Sequence, residues 1–192
     1  QVQALLKKAS TVQIDRICPL HGFVWRKNIG EFIDRYVHWS TYTPEEQGVM
    51  IAYASVYGGT ENAANILACR LREQGVQVEM FDTSVTPASY ILAAAFRFSH
   101  VVRAAPTYNG GVFVTMENLL HDLTAHGLKG RRAAYIENGS WAPTSARGMQ
   151  KLLEPLNWET AADTVTLRSA LRQGQQEDLE RMAAQLAESV KA

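Results

Sequence analysis

The sequence predicts an α/β fold, a parallel sheet with helices on both faces. Three observations carry that prediction. From Gly48 onward, short apolar runs alternate five times with helix-periodic stretches, the rhythm of a chain crossing back and forth over one sheet. The first run is continuously apolar, as a strand covered on both faces should be. The composition, 46% hydrophobic and 20% charged over 192 residues, is that of a globular chain long enough to bury a core.

Val49–Ala54 reads as the first, buried strand. Thr60–Gln74 is helix-periodic and stops at Gly75, a good C-terminal cap. Val76–Phe81 is the second strand, ending at Asp82. Thr86-Pro87 opens a short helix with Pro at its first position. His100–Ala105 is the third strand, Val112–Ala125 a helix ending near Gly127, and Arg132–Ile136 the fourth strand. Thr144–Leu153 is a helix stopped by Pro155, and Thr160–Leu167 is the fifth strand. Gln175–Val190 closes the chain as an amphipathic helix carrying Leu179, Met182, Leu186 and Val190 on one side.

Residues 1–47 lack this rhythm. Leu5-Leu6 suggests a short helix, and Val12-Ile14-Ile17 a short strand. Asn28 stands where it would cap a helix with Ile29, Phe32, Ile33, Tyr36 and Val37 on one face. Thr43–Gly48 is a polar turn with Pro and Gly and reads as a linker. The expected division is therefore 1–47, an appended α/β segment with its linker, and 48–192, the regular sheet.

Lys and Arg number 19, as do Asp and Glu. A zero balance argues against nucleic-acid binding, which favours a basic excess, and against an acidic disordered tail. No apolar run approaches the ~18 residues a membrane span needs. The first residues have no signal-peptide layout and no initiator Met, which points to a trimmed chain or an excised domain. Cys18 and Cys69 are far apart, so no disulfide framework is expected and the cytoplasm is the default compartment.

Ligands of such sheets bind at the carboxyl ends of the strands, near the reversal of strand order. Three loops matter. Ser55-Val56-Tyr57-Gly58-Gly59-Thr60, after the first strand, combines small hydroxyl residues and glycines at a helix N-terminus, which suits an anion held by neutral donors. It holds no Lys or Arg, and the Gly-x-x-x-x-Gly-Lys pattern of ATP-binding loops is absent. The same residues also suit a plain strand–helix turn with Thr60 as N-cap. Pro106-Thr107-Tyr108-Asn109, after the third strand, offers a ring and exposed amides, or a surface turn. Asn138-Gly139-Ser140-Trp141, after the fourth, offers the same pair of readings. Together the three loops describe a site for a planar ring with a phosphate tail. Flavin mononucleotide (FMN) suits it better than a dinucleotide, because no Gly-x-Gly-x-x-Gly fingerprint occurs.

From about Val49 to Ala192 the chain resembles the flavodoxin family. The Ser55-x-Tyr57-Gly58-Gly59-Thr60-Glu61 stretch looks like that family's phosphate-binding loop, with Tyr57 where many flavodoxins have a second Thr or Ser. That departure, with the Tyr108 and Trp141 loops, is similar to the flavodoxin-like domain of flavodiiron proteins (A-type flavoproteins). Ile17-Cys18-Pro19-Leu20-His21-Gly22-Phe23-Val24-Trp25-Arg26 resembles the end of those proteins' metallo-β-lactamase-like domain, and Tyr36…Trp39-Ser40 the bridge between domains.

The resemblance implies five parallel strands in the order 2-1-3-4-5, and FMN as cofactor. The first loop would hold its phosphate, Tyr108 and Trp141 would flank its ring, and backbone groups of Thr107, Asn109, Asn138, Gly139 and Ser140 would meet its edge or ribityl chain. It further implies passage of electrons to a diiron centre that reduces dioxygen or nitric oxide, a head-to-tail homo-oligomer, and rubredoxin or a flavin/NADH-linked reductase as donor. His21 stands at a family diiron-ligand position, but the His-x-Glu-x-Asp-His ligand region is absent from these 192 residues. One His cannot hold two irons, so this chain alone is expected to be an electron-transfer module rather than a complete enzyme. The alternatives are a stand-alone NAD(P)H:quinone reductase, a diffusible flavodoxin-type carrier, and a scaffold with an empty site. Charge bears on the carrier: residues 48–192 hold 13 basic and 14 acidic side chains, nearly neutral where a freely diffusing flavodoxin resembles a strongly acidic protein.

Overall fold

A computed structural model describes residues 1–192. Two helices come first, α1 (Val2–Ala9) and α2 (Ile29–Thr41), and neither buries a side chain. The predicted strand around Val12–Ile17 does not form. Ile17 instead pairs with Trp25 in a single antiparallel bridge, whose two N–H···O bonds are both 2.9 Å. That bridge sets His21 and Gly22 at the tip of a loop. Asn28 does not cap α2 with its side chain; it adopts a left-handed φ of 54°. The Trp25 and Phe32 rings are in contact at a tilt of 39°, with centroids 3.8 Å apart.

The remainder is β1 (Glu46–Tyr53), α3 (Gly59–Glu73), β2 (Val78–Asp82), α4 (Ala88–Arg97), β3 (Phe98–Tyr108), β4 (Gly111–Val112), α5 (Val114–Ala125), β5 (Arg132–Asn138), α6 (Ser145–Leu153), β6 (Glu159–Thr160), β7 (Val165–Leu167) and α7 (Gln173–Lys191). The parallel sheet has the order β2-β1-β3-β5-β6, with β7 beside β5. This is the expected 2-1-3-4-5 order, with the fifth strand in two pieces. β6 pairs with Arg132 and Ala133, β7 with Ile136, Glu137 and Asn138, and the chain between them leaves the ladder.

Several boundaries differ from the prediction: β3 runs from Phe98 to Tyr108, and Val112, the expected start of a helix, pairs in β4, so that α5 begins at Val114. Glu46 and Gln47 belong to β1, so the linker is shorter than Thr43–Gly48 suggested. Pro87 is the residue before α4 rather than its first position. Gly58, not Thr60, occupies the cap position of α3.

Alternating residues of the strands feed two cores. On one face Val49, Ile51, Val102, Ala104, Ala134 and Ile136 meet Ala64, Leu67 and Leu71 of α3 and Leu179, Met182 and Leu186 of α7. On the other, Met50, Ala52, Val101, Ala105 and Ala133 meet Ile91 of α4, Met116, Leu120 and Leu123 of α5, and Met149 of α6. The helices can lie this close because their inward residues recur at three and four and many are alanine. Arg103, fully buried on the second face, lies over the Tyr135 and Trp158 rings, with Cζ 4.4 and 5.0 Å from their centroids. Burial lowers its pKa to about 10.

The amino edge of the sheet is closed by polar side chains. Buried Arg131 donates to the carbonyls of Ala95 (2.8 Å), Phe96 (2.5 Å) and Tyr42 (2.6 Å), tying the end of α2 to the sheet. His100 links Ser99 (Nδ1···Oγ 2.8 Å) to Ser189 of α7 (Nε2···Oγ 2.9 Å), and Arg132 donates to the same Ser189 hydroxyl (2.9 Å). Burial first, and then the Arg132 charge, lower the His100 pKa to about 4. No helix is long and apolar enough to cross a membrane.

Candidate functional site

The carboxyl edge of the sheet is open. Strand order reverses between β1 and β3, and a cavity of about 390 Å³ lies over that point. It is lined by Ser55, Val56, Tyr57, Gly59 and Thr60 after β1, by Pro106, Thr107 and Tyr108 at the end of β3, by Asn138, Gly139 and Ser140 at the end of β5, and by Ser169 and Ala170 after β7. No acidic or basic side chain lines it.

The loop after β1 is shaped by its own side chains. The Ser55 hydroxyl accepts the Gly58 N–H at 3.1 Å, and Gly58 takes a positive φ of 83°, which turns the chain into α3 at no Cβ cost. The amides of Val56, Tyr57, Gly59 and Thr60 have no acceptor in the chain. They are the open N–H groups of a helix start, where the backbone dipole also favours an anion. Gly59 admits no substituent: a Cβ there would collide with the Ser169 carbonyl and press on the Asn138 amide.

Asn138 holds three of the walls together. Its Oδ1 accepts the Ser169 N–H (2.9 Å), while Nδ2 donates to the Ser169 carbonyl (2.9 Å) and to Thr60 Oγ1 (3.2 Å). Ser140 and Ser169 hydroxyls meet at 3.0 Å. The Gly139 N–H is engaged by the Leu167 carbonyl (3.2 Å), and its Cα packs against Pro143, so close that a Cβ would reach 3.0 Å.

The cavity leaves out three of the expected residues. Gly58 makes the turn, and its amide is taken by Ser55. Asn109 lies outside the cavity lining: β3 runs on through Tyr108 and pairs with β4, so that Asn109 and Gly110, both at positive φ, form the two-residue turn of a hairpin. Asn-Gly is the strongest short hairpin signal in a sequence, and the continuation of β3 could have been read from it. Trp141 is 92% exposed beyond the rim. Tyr57 is fully exposed, and Tyr108 is half exposed and braced edge-on by Phe113 at 5.6 Å. Ser169 and Ala170, after β7, are not among the residues the sequence points to, because the loop after the fifth strand carries no glycine or aromatic signal. A parallel fifth strand must also end on this edge, and that could have pointed to them.

Thr107 contributes its hydroxyl to the scaffold. Its Oγ1 accepts the N–H groups of Thr144 (2.8 Å) and Ser145 (3.1 Å), and Glu137 Oε2 accepts that of Ala146 (3.1 Å). The start of α6 is thus capped by other elements. His21 is exposed on the loop closed by the Ile17–Trp25 bridge, and nowhere do three His, Cys, Asp or Glu side chains come close enough to hold a metal ion.

No protein-family model matches the chain. A nitric oxide reductase of Moorella thermoacetica is 29% identical over 155 residues, 78% of this chain and 38% of the relative. A rubredoxin-oxygen oxidoreductase of Megalodesulfovibrio gigas is 23% identical over 178 residues, 92% of this chain and 44% of the relative. The chain thus spans less than half the length of these curated relatives. Among solved structures, the flavodiiron protein of Giardia intestinalis superposes with a TM-score of 0.90 at 21% identity, over 99% of this chain and 47% of that one. The fold is that of the flavodoxin-like region of flavodiiron proteins. A flavodoxin of Streptococcus pneumonia TIGR4 matches the flavodoxin-like part alone, with a TM-score of 0.64 at 24% identity over 73% of this chain and 98% of its own length. The cavity of this flavodoxin-like sheet lies at the switch in strand order, where such folds take ligands.

Proposed function

We propose that residues 48–192 bind FMN non-covalently and serve as the electron-transfer unit of a flavodiiron-type oxidoreductase. The observation that carries this reading is the row of unpaired amides at Val56, Tyr57, Gly59 and Thr60, opening into a cavity that no charged side chain lines. A phosphate ester suits such a place: its charge meets N–H groups and a helix start, with no buried cation to compete. The Ser55 and Thr60 hydroxyls add donors. Tyr57 and Tyr108 supply aromatic contact for the ring, with Trp141 as a rim residue. Ser140 and the Pro106–Thr107 backbone, which line the same cavity, would meet the ring edge and ribityl chain. Bound FMN would supply the one- and two-electron chemistry. The chain's own part is to bind the phosphate, orient the ring and limit its exposure to water.

Residues 1–47 correspond, in this reading, to the end of a metallo-β-lactamase-like domain and its bridge. In support, α1 and α2 bury nothing, while Leu20 and Phe23 are 98% and 81% exposed. The residues present do not fit a diiron centre, because His21 has no convergent partners. Reduction of dioxygen or nitric oxide is therefore assigned to a longer protein of which this would be one part, acting as a homo-oligomer. The name of one relative, a rubredoxin-oxygen oxidoreductase, supports a rubredoxin-type donor. Two free, exposed thiols fit a cytoplasmic setting.

Titration with FMN, followed by quenching of flavin fluorescence and by visible absorbance, tests the proposal. Saturable one-to-one binding is expected, and no uptake by folded protein overturns it. Direct oxidation of NADH or NADPH by the flavin-loaded chain, with no separate reductase, would favour the quinone-reductase alternative.

A further inference from the structure

Asn138 makes two bonds to one residue, Ser169, and a third to Thr60, and the first two decide the polarity of the third. The Ser169 N–H can only donate and its carbonyl can only accept. The amide facing both, at 2.9 Å each, must therefore present Oδ1 to the N–H and Nδ2 to the carbonyl. The remaining Nδ2 proton then points to Thr60 Oγ1 at 3.2 Å. Thr60 is buried, and its hydroxyl donates to no group of the chain. With one lone pair engaged by Asn138, its own proton is left for the cavity.

The same amide covers the Ser169 carbonyl, which packs against Gly59 at the start of α3. Unpaired, that carbonyl would put a partial negative charge beside the row of amides. We infer that Asn138 is a positioning residue that sets the polarity of the cradle: it makes Thr60 a donor and masks the Ser169 carbonyl, so that the site selects a ligand with an anionic tail over the same ligand without one. This rests on the flavin reading and deepens it, by locating the discrimination between FMN and riboflavin in a side chain that need not touch the phosphate.

The test is Asn138→Asp, which keeps the shape and reverses the polarity. Its carboxylate can accept from Ser169 N–H and from the Thr60 hydroxyl but donates to neither. The FMN dissociation constant is expected to rise by about 10- to 150-fold, the range for a lost hydrogen bond to a charged group. The riboflavin constant is expected to move less than about threefold, because that ligand presents no anion to the cradle. The carboxylate also repels a phosphate by its charge alone, so the uncharged Asn138→Leu decides: it too should lose the preference for FMN over riboflavin, and an unchanged FMN-to-riboflavin ratio in Asn138→Leu overturns the inference, because a merely structural role would weaken both ligands together.

Thr60→Val is a further variant, leaving the Asn138–Ser169 pair intact. It should lose most of the same preference, and Thr60→Ser should keep it; full preference in Thr60→Val also overturns the inference. Inorganic phosphate separates this inference from the flavin reading. If the wild-type chain takes up no flavin, but phosphate shifts the Val56–Thr60 amide resonances in wild type and not in Asn138→Leu, then the flavin reading fails and the polarity assignment stands. If phosphate shifts them equally in both, or in neither, the assignment fails.

Discussion

Two helices, α3 and α6, begin on the same edge of the same sheet, one after β1 and the other after β5, and their first turns differ in one respect. At α6 the amides of Thr144, Ser145 and Ala146 are taken by Thr107 and Glu137, side chains that arrive from β3 and β5. At α3 the amides of Val56, Tyr57, Gly59 and Thr60 are left open, and the one side chain aimed at the loop, Ser55, binds Gly58. A helix start capped by its own protein is scaffold, whereas one left open beneath a cavity is available to a ligand. The comparison teaches that the dipole is common to both helices, and that the surrounding side chains decide which one can serve as an anion site.

The largest effect that would break this comparison is expected from Gly59→Val. The new side chain would strike the Ser169 carbonyl, closing the open start, and FMN binding should be lost altogether in a titration, beyond the roughly 1.5–3 kcal/mol of each charged hydrogen bond. Near-normal binding would show that the cradle is not where the phosphate goes. Next comes Ser55→Ala combined with Thr60→Ala, where each lost donor should cost roughly 1.5–3 kcal/mol of FMN binding. Fluorescence titration measures this, and the matching substitution at α6, Thr107→Val, should leave phosphate recognition nearly intact.

The amino edge, where polar groups satisfy one another, gives the third prediction. The His100 pKa is depressed to about 4 in the folded chain and is ~6.5 when unfolded. Protonation therefore favours the unfolded state, so the contribution of neutral His100 is fully present above about pH 6.5 and is lost as pH falls towards 4. Unfolding free energies from urea curves across that range should decline by an amount on the order of 1–3 kcal/mol more in wild type than in His100→Asn. Parallel curves would remove His100 from the cause.

Thr107→Val should cost about 0.5–2 kcal/mol of stability, the range for a lost helix cap, read from the same urea curves. The smallest effect is expected at Trp141. Because it stands exposed outside the cavity, Trp141→Ala should change FMN affinity by less than about threefold, under 1 kcal/mol. A much larger loss would place the ring farther out than Tyr108.

Much of this was legible in the residues. A continuous apolar run at Val49–Ala54 and a largely apolar one at His100–Ala105, interrupted by Arg103, mark buried parallel strands, and three- and four-residue spacing marks the helices, because each element must bury one face to form at all. The Ser55–Thr60 loop stood out for the same local reason: glycines and short hydroxyls after a strand leave N–H groups free. Less legible were roles that depend on what lies across the sheet. Thr107 lines the cavity, as its place after the third strand suggests, but the capping of α6 by its hydroxyl is not legible in the sequence. Asn109 was read as a loop amide and turns a hairpin. The fifth strand was read as one piece, and its middle leaves the ladder between β6 and β7.

Sequence alone was enough for the alternation of strands and helices from Gly48 onward and for the glycine- and hydroxyl-rich loop after the first strand. Both follow from chain-local chemistry: periodicity, turn residues and the conformational freedom of glycine. Only the tertiary structure decided which helix start remains open, and that Asn138, Ser169 and Thr60, drawn from three distant parts of the chain, share one amide. Hydrogen-bond partners separated by 31 and 78 residues meet only once the sheet has fixed where each strand ends.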